Sequence, residues 1–409
     1  MEFSTRFCYY NVMQKLTTDS EIFTRAVEEI VTREELNKKL LSGKKLRIKF
    51  GVDVTASTLH IGNAVNLWKM RELQEYGHKV IFLIGDFTTK IGDPTGRVEV
   101  REKAVTKNIN IWANNFIKEI SRILLTDKKV FEVHKNSEWF GKMKATDLAN
   151  LMGFFTHSRV IERDMFQRRI KEGHEIRLTE LIYPILQGYD SVMLKSDLTI
   201  IGSDQLFNEN IGRFLQTKFG QPPQVIVTTV ITPGLDGGSK MSKSLGNYIG
   251  LGDSPTDKFG KAMRLLDSLI APYLETYTDV SWDEIKRIES ELKSGKGRME
   301  AKLFFAEALV GRYHGREIAQ RERKEFLEMF SHHKLPDSML GKKLRYGHWD
   351  PTVLLFNTDL VKSKTEARRR ILQGAVEVDG KRLMDSKEKI VIKNGTIIRV
   401  GKRRFLRIK

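Results

Sequence analysis

The sequence predicts an α/β protein built on a doubly wound parallel sheet, followed by a helical region and a small basic α+β unit. Three observations predict this. A strand, a helix and a strand follow one another over residues 45–85, further apolar strands lie near residues 200 and 225, and the C-terminal segment carries helix and hairpin signals of its own. At 409 residues the chain is long enough for two or three domains.

The first predicted elements form one continuous series. Residues 1–45 are predicted to be helical, because apolar side chains recur there at helical spacing, at Ile22, Ala26, Ile30 and Leu36. A strand over 45–52, a helix over 61–76 that ends at Gly77, and an apolar strand over 80–84 follow. This unit requires a right-handed crossover and therefore indicates a doubly wound sheet.

The remaining chain is predicted to divide into further segments. Apolar strands are expected over 198–201 and 224–229, and residues from about 103 to 195 are expected to form a mostly helical insertion. Residues 255–330 carry few strand signals. The predicted divisions are a sheet domain over 1–247, a helical domain over 248–332, a linker over 333–348 and a terminal domain over 349–409.

The terminal segment has clear local signals. Ser363 and Glu366 predict a capping box that opens a basic helix, and Gly374 is placed to close it. Asp379 and Gly380 predict a tight hairpin turn between two short strands. These signals predict a separate α+β unit.

Composition narrows the class of protein. The formal net charge is +18, and residues 341–409 hold 19 Lys and Arg against 7 Asp and Glu. So basic a segment favours a polyanionic partner, with a surface selected for solubility as the alternative. No apolar run approaches the roughly 20 residues that a bilayer span needs, and no membrane association is expected. The single cysteine, Cys8, fits a reducing compartment, so we expect a cytoplasmic protein without a protein-bound metal site.

The first candidate site is His60-Ile61-Gly62-Asn63, at the start of the helix over 61–76. Backbone N–H groups at a helix start favour a phosphate, and Gly62 lets a nucleotide approach the backbone closely. His60 and Asn63 are three residues apart and can face one ligand. A helix start with a surface histidine is the alternative interpretation.

Two further candidate sites lie in the second half of the sheet domain. The run Lys240-Met241-Ser242-Lys243-Ser244 follows several glycines, and its two lysines are suited to closing over a leaving pyrophosphate. The run Gly202-Ser203-Asp204-Gln205 follows a strand at its carboxyl end, where open α/β sheets bind ligands. Asp204 is suited to ribose hydroxyls. A solvated basic turn and a helix N-cap are the respective alternatives.

A polar stripe marks the fourth candidate site. Tyr183, Gln187 and Asp190 are spaced to share one face of a helix whose other positions are apolar. Such a stripe suits a small polar ligand with an aromatic body, whereas an amphipathic surface helix is the alternative.

The fifth candidate site combines one carboxylate with two guanidinium groups. Asp93 and Arg97 lie in the run Ile91-Gly92-Asp93-Pro94-Thr95-Gly96-Arg97, and Arg101 follows four residues later. These groups suit an ammonium and a polyphosphate. A plain Asp-Pro turn is the alternative.

In this order, the five runs resemble the tyrosyl-tRNA synthetases of the bacterial type, in the branch that carries KMSKS. The resemblance covers almost the whole chain, and residues 353–383 are similar to the S-four RNA-binding domain. It implies a class I enzyme with a Rossmann-like catalytic domain, a helical anticodon-side domain, a terminal RNA-binding domain and a homodimer.

The resemblance also implies the reaction. L-tyrosine and ATP would give tyrosyl-adenylate and pyrophosphate, and the tyrosyl group would pass to the 3′-terminal adenosine of tRNA(Tyr). ATP enters as a substrate with Mg²⁺, and no tightly bound cofactor is implied.

Site residues follow from the resemblance position by position. Tyrosine would be bound by Asp93, Tyr183, Gln187, Asp190 and Gln205. ATP would be bound by Asp53, Thr55, His60, Gly62, Asn63, Gly202, Asp204, Lys240 and Lys243. Catalysis would rest on His60, Asn63, Arg97, Arg101, Gln205, Lys240 and Lys243. RNA would be contacted by Lys364, Arg368, Arg369 and Arg370.

Four positions depart from the family pattern. Asn63 stands where a histidine is usual, and its amide can supply a similar neutral N–H donor. Lys49 stands where many relatives have a tyrosine that touches the substrate hydroxyl, so phenol recognition would rely more on Asp190. Val54 replaces a proline and Ile201 a glycine, both at turns sensitive to backbone conformation.

Three alternative functions share part of this evidence. A tryptophanyl-type synthetase has the same fold and ATP motifs. The helix with Tyr183, Gln187 and Asp190 and the terminal domain over 349–409 favour tyrosine instead. A non-catalytic RNA-binding protein derived from a synthetase is disfavoured by the intact Lys240, Asp204 and Asp190. A small-molecule nucleotidyltransferase leaves the basic tail unexplained.

Overall fold

The computed structural model describes residues 16–55, 58–93, 104–242, 245–331, 341–361, 363–401 and 404–409. The chain divides into two compact units, Met1–Glu322 and Arg323–Lys409. The predicted finer division into catalytic and helical domains stays a prediction. Among the described helices, none is long and apolar enough to cross a membrane.

A six-stranded sheet forms the centre of the first unit, in the order β1-β6-β5-β2-β3-β4. All neighbours are parallel except β1, which runs antiparallel to β6. The strands are β1 Val27–Val31, β2 Arg47–Asp53, β3 Lys79–Gly85, β4 Phe131–Lys135, β5 Leu198–Gly202 and β6 Val225–Thr229. The predicted α/β class and doubly wound parallel sheet are therefore confirmed.

The structure describes α-helices between and after these strands. They are α1 Arg33–Leu41, α2 Ile61–Glu75, α3 Thr88–Ile91, α4 Ala104–Ile120, α5 Ser137–Phe140, α6 Ala145–Met152, α7 His157–Ile161, α8 Asp164–Lys171, α9 Leu178–Leu194, α10 Leu206–Lys218, α11 Pro255–Ala262, α12 Ile270–Tyr277, α13 Trp282–Lys293, α14 Arg298–His314 and α15 Arg316–Ser331. The main core lies between the sheet and α2 and α4, where side chains such as Leu67, Phe82 and Phe116 are buried.

Two sequence predictions need correction. Residues 27–31 were expected to be helical but form β1, because β-branched Val27, Ile30 and Val31 suit a strand beside β6 and helix α1 begins only after Thr32 caps it. The mostly helical insertion contains β4, which pairs with β3 at the edge of the sheet. The alternation of this short, partly exposed strand is a weak sequence signal.

The sheet opens between β2 and β5. These strands pair only at Ile48 and Lys49, whereas β2 pairs with β3 along seven residues. The strand order also changes direction here, since the chain proceeds outward from β2 on one side and from β5 on the other. A crevice at the carboxyl ends of the strands is the usual ligand site in such a sheet.

Within the second unit, the described residues from 341 to 409 form two small sheets and two helices. One sheet has the order β10-β9-β12-β13-β7, and the other pairs β11 with β8. The elements are β7 Gly341–Lys342, β8 Gly347–Trp349, α16 Pro351–Asn357, α17 Lys364–Leu372, β9 Val376–Val378, β10 Lys381–Leu383, β11 Ile390–Ile392, β12 Ile397–Val400 and β13 Arg404–Ile408. Buried aliphatic side chains from both helices and these strands form its core.

The local predictions for this unit are confirmed. Ser363 accepts a hydrogen bond from the Glu366 N–H at the start of α17. Asp379 and Gly380 have φ values of 46° and 80° and join two antiparallel strands. The predicted linker lies partly outside the described residues, and the described part includes β7 and the start of β8.

Candidate active site

A cavity of about 550 Å³ opens at the carboxyl ends of β2 and β5. Most of the predicted site residues line it: Asp53, Thr55, His60, Gly62, Asn63, Asp93, Tyr183, Gln187, Asp190, Gly202, Asp204, Gln205 and Lys240. Segments far apart in the chain therefore meet at one site. Arg97, Arg101 and Lys243 lie outside the described residues.

His60 and Asn63 lie at the start of α2. His60 is the extended N-cap residue, and its backbone N–H donates to Asn63 Oδ1 at 3.2 Å. Because this bond uses the amide oxygen, the amide nitrogen of Asn63 is the end suited to meet a ligand. This arrangement agrees with the prediction that asparagine supplies a neutral donor.

The start of α2 is joined to the chain that follows the run over 240–244, here called the lysine loop. The Ile61 N–H donates to the Ile249 carbonyl at 3.0 Å, and the Leu251 N–H donates to the Leu59 carbonyl at 2.9 Å. Glu119, which is buried on α4, also accepts from the Leu59 N–H at 2.6 Å. These bonds hold the first motif against residues 249–251 and α4.

The lysine loop reaches the opposite side of the cavity. Lys240 Nζ lies 2.6 Å from Asp204 Oδ2. The side chain predicted to bind phosphate therefore contacts the side chain predicted to bind the ribose. The Ser242 N–H donates to Asn247 Oδ1 at 2.8 Å and orders the loop from within.

The polar stripe of α9 faces the cavity as predicted. The Tyr183 hydroxyl donates to Asp53 Oδ2 at 3.0 Å, and Thr88 Oγ1 donates to the other oxygen of Asp53 at 2.7 Å. Burial and the carboxylates of Asp53 and Asp93 raise the Tyr183 pKa well above its usual value. Tyr183 is therefore a neutral donor held in one orientation.

Asp190 lies deep in the site, with 3% of its surface exposed. Its carboxylate accepts hydrogen bonds from Trp139 Nε1 at 3.0 Å and from Asn136 Nδ2 at 3.4 Å. Burial raises its pKa to about 8, although the positive charge of Lys49 and these two bonds act in the opposite direction. A buried acidic group of this kind suits a ligand hydroxyl.

A chain of amide groups crosses the site between α9 and the turn after β5. Gln205 Nε2 donates to Asp93 Oδ2 at 3.0 Å. Asn208 Nδ2 donates to the amide oxygens of both Gln205 and Gln187, at 3.0 and 2.8 Å. The chain brings together four polar side chains that the sequence places in three separate segments.

Lys49 does not point freely into the cavity. Its ammonium contacts Glu209 on α10 at 2.7 Å and donates to Ser191 Oγ at 2.7 Å, and both charged side chains are 2% exposed. Sequence reasoning identified Lys49 as unusual but missed Asn208 and Glu209. Their position on the helix that follows Gln205 was the available signal.

The departure at Val54 also has a structural explanation. The Val54 N–H donates to Thr89 Oγ1 at 2.8 Å, and Val54 is fully buried. Proline, the usual residue of the family, has no N–H to donate, so valine adds a bond at this turn. Nothing in the structure explains Ile201, which packs in β5.

The predicted RNA-contacting residues lie on α17 in the second unit. Lys364, Arg368 and Arg369 are exposed, whereas Arg370 is partly buried and lies 3.5 Å from the Glu366 carboxylate. Three of the four cations are therefore available on the surface of one helix.

Comparison with known proteins agrees with this architecture. Residues 41–331 match the family described as tRNA synthetases class I (W and Y). A tyrosine--tRNA ligase of Moorella thermoacetica is 41% identical over 98% of each chain, and one of Carboxydothermus hydrogenoformans is 41% identical over 97% of this chain and 98% of its own. The crystal structure of a truncated mitochondrial tyrosyl-tRNA synthetase of Coccidioides posadasii, at 25% identity, matches 73% of this chain and 88% of its own with a TM-score of 0.55.

The fold and the site therefore define a class I aminoacyl-tRNA synthetase. More particularly, the chain belongs to the family of the tryptophanyl and tyrosyl enzymes. The resemblance to bacterial tyrosyl-tRNA synthetases, drawn from the motifs, is confirmed by the nearly full-length relatives.

Proposed function

We propose that this chain is a tyrosine–tRNA ligase. It activates L-tyrosine with ATP and transfers the tyrosyl group to the 3′-terminal adenosine of tRNA(Tyr). The observation that carries the choice of amino acid is Asp190, a buried carboxylate among donors at the deep end of the cavity. Relatives that carry the same name over nearly the whole chain support it.

The tyrosine side chain enters with its hydroxyl toward Asp190. A site built to pair a hydroxyl disfavours phenylalanine, because a buried polar group would lose its partner. The substrate ammonium lies at the other end, among the Tyr183 hydroxyl, the Gln187 amide oxygen and the Asp93 carboxylate. Tryptophan offers an indole N–H in a different position and a larger ring, so it fits this pairing poorly.

ATP lies across the start of α2 and the turn after β5. Asp204 accepts from the ribose hydroxyls, and Gly202 and Gly62 let the nucleotide approach the backbone. His60, Asn63, Thr55 and Lys240 surround the phosphates, joined in this proposal by Arg97, Arg101 and Lys243. Mg²⁺ enters with the β- and γ-phosphates as part of the substrate.

The first chemical step needs positioning and charge rather than a general base. The tyrosine carboxylate is already an anion and attacks the α-phosphorus, and pyrophosphate leaves. Cations and N–H donors stabilise charge that develops on the phosphate oxygens. Gln205, which is hydrogen-bonded to Asp93, holds the carboxylate and the α-phosphate in line.

The second step transfers the tyrosyl group from the adenylate to a ribose hydroxyl of the tRNA. The exposed cations of α17 and the basic terminal segment would contact the tRNA backbone. The family resemblance favours a homodimer, and a single cysteine favours the reducing cytoplasm. These partners and this location belong to the same proposal.

Two matched substitutions test the proposed division of the cavity. In pyrophosphate exchange, Asp190→Ala should raise the KM for tyrosine at least ten-fold more than the KM for ATP, because only the phenol loses its partner. Asp204→Ala should show the opposite preference. Equal effects of both variants on both substrates, in proteins with unchanged circular dichroism, would contradict the assignment.

A further inference from the structure

A buried ion pair between Lys49 and Glu209 lines the cavity that contains the proposed tyrosine site. Lys49 Nζ is 2.7 and 2.9 Å from the two carboxylate oxygens of Glu209 and 2.7 Å from Ser191 Oγ. These three acceptors surround the lysine ammonium, which has three N–H groups. Lys49 is thus engaged by protein atoms, although it stands where many relatives have a tyrosine that touches the substrate.

Glu209 connects this pair to a predicted substrate ligand. Its carboxylate also accepts from Gln187 Nε2 at 3.0 Å and from Gln224 Nε2 at 2.7 Å. A carboxylate can only accept, so this contact fixes the nitrogen end of the Gln187 amide. The oxygen end accepts from Asn208 at 2.8 Å and keeps a second lone pair for another donor.

The same pair lines the cavity together with the residues proposed to bind the two ends of tyrosine. Lys49, Glu209, Gln187 and Asp190 all line this cavity. Burial raises the Asp190 pKa, and the positive charge of Lys49 is the largest of the influences that lower it. The ion pair is therefore linked to Gln187, proposed to bind the substrate ammonium, and to Asp190, proposed to bind the phenol.

We propose that the Lys49–Glu209 pair is a positioning and specificity device for tyrosine, in which Glu209 orients the Gln187 amide and Lys49 supplies a positive charge close to Asp190. Neither residue needs to touch the substrate. The inference rests on the proposed function, because its substrate is tyrosine.

The test removes both charges at once. Loss of one partner would leave an unpaired buried charge, whereas replacing both partners by apolar residues is often neutral for stability. In the double variant Lys49→Met/Glu209→Leu, we expect the KM for tyrosine in pyrophosphate exchange to rise at least ten-fold and the KM for ATP to change less than two-fold. We also expect the preference for tyrosine over phenylalanine to fall.

A matched control removes another ion pair from α10. Arg213 contacts Glu35 at 2.7 Å, and neither residue lines the cavity. Arg213→Met/Glu35→Leu should leave both KM values within two-fold of wild type. A rescue variant, Lys49→Met/Glu209→Gln, keeps an acceptor for Gln187 and should recover part of the tyrosine KM.

The pH dependence distinguishes positioning from a purely structural role. In both Lys49→Met double variants the charges of Lys49 and Glu209 are lost together. Burial and Asp53 raise the Asp190 pKa, while Lys49 is the main charge that lowers it, so loss of Lys49 should outweigh loss of Glu209 and move the acidic limb of kcat/KM for tyrosine to higher pH. Unchanged tyrosine KM, unchanged amino-acid preference and an unmoved limb would overturn the proposal. So would unfolding of both double variants, since the pair would then serve stability alone. Failure of the proposed function differs, because wild-type protein would then show no tyrosine-dependent exchange.

Discussion

At the scale of single residues, Asn63 combines a hydrogen bond within the fold with the phosphate contact that we propose for it. Its oxygen accepts from the His60 N–H, which leaves the nitrogen for a phosphate. Asn63→His should remain active but acquire a dependence on protonation near pH 6.5, the ordinary imidazole pKa. Exchange rates between pH 5.5 and 8 check this. A pH profile of Asn63→His that matches the wild-type profile would contradict the neutral-donor account.

Asp190 makes a second residue-scale prediction, on stability. Its pKa is raised from 3.8 in the unfolded chain to about 8 in the fold. Between these values the unfolded chain releases a proton that the folded protein keeps, so stability falls as pH rises toward 8. Asp190→Asn should therefore gain stability relative to wild type between pH 5 and 9, by on the order of several kcal/mol.

Urea unfolding of both proteins at pH 5 and pH 9 measures this difference. A stability difference that stays constant with pH would show that Asp190 is ionised in both states.

The sequence predicts the residues that line the site better than the residues that hydrogen-bond to them and hold them in place. The spacing of Tyr183, Gln187 and Asp190 on one helix face was enough to predict their convergence. Asn208 and Glu209 were missed because a supporting role depends on tertiary contacts between α9 and α10. No local pattern distinguishes such residues from other polar helix positions.

At the scale of elements, the chain after the lysine loop is tied to the start of α2 by the Leu251–Leu59 bond. Lys258, fully buried on α11, donates to the carbonyls of Leu251 and Asp253, both at 2.7 Å. Lys258→Met removes both bonds and should raise the KM for ATP about ten-fold, with little effect on tyrosine.

Steady-state exchange kinetics check this prediction, with Lys293→Met, at an exposed position of α13, as the control. Equal rises in the KM for ATP and tyrosine would mean that Lys258 supports the whole site rather than the loop.

Helices and strands with strong local sequence signals were predictable. A strand that forms only because it pairs with another strand was not. Strands β2 and β3 and helix α2 follow from apolar runs and a closing glycine. Strand β1 was missed because its spacing also fits a helix, and only pairing with β6 decides between them.

At the scale of the whole molecule, the uneven charge predicts how tRNA would bind. Arg368→Ala/Arg369→Ala removes two exposed cations from α17 and should weaken tRNA binding while tyrosine-dependent exchange stays unchanged. The slope of log affinity against log salt should become shallower by about two, since two fewer phosphates are neutralised.

Filter binding of tRNA(Tyr) at several salt concentrations measures this slope. Lys387→Ala/Lys389→Ala removes the same charge elsewhere in the second unit and should change the slope less. Equal changes would indicate diffuse attraction rather than a contact through α17.

The central claim is that this cavity activates tyrosine. The most direct measurement is ATP–pyrophosphate exchange by the purified chain, with each of the twenty amino acids tested separately. The account predicts exchange that depends on tyrosine and is far slower with phenylalanine and tryptophan. Exchange supported by tryptophan, or by no amino acid, would contradict it.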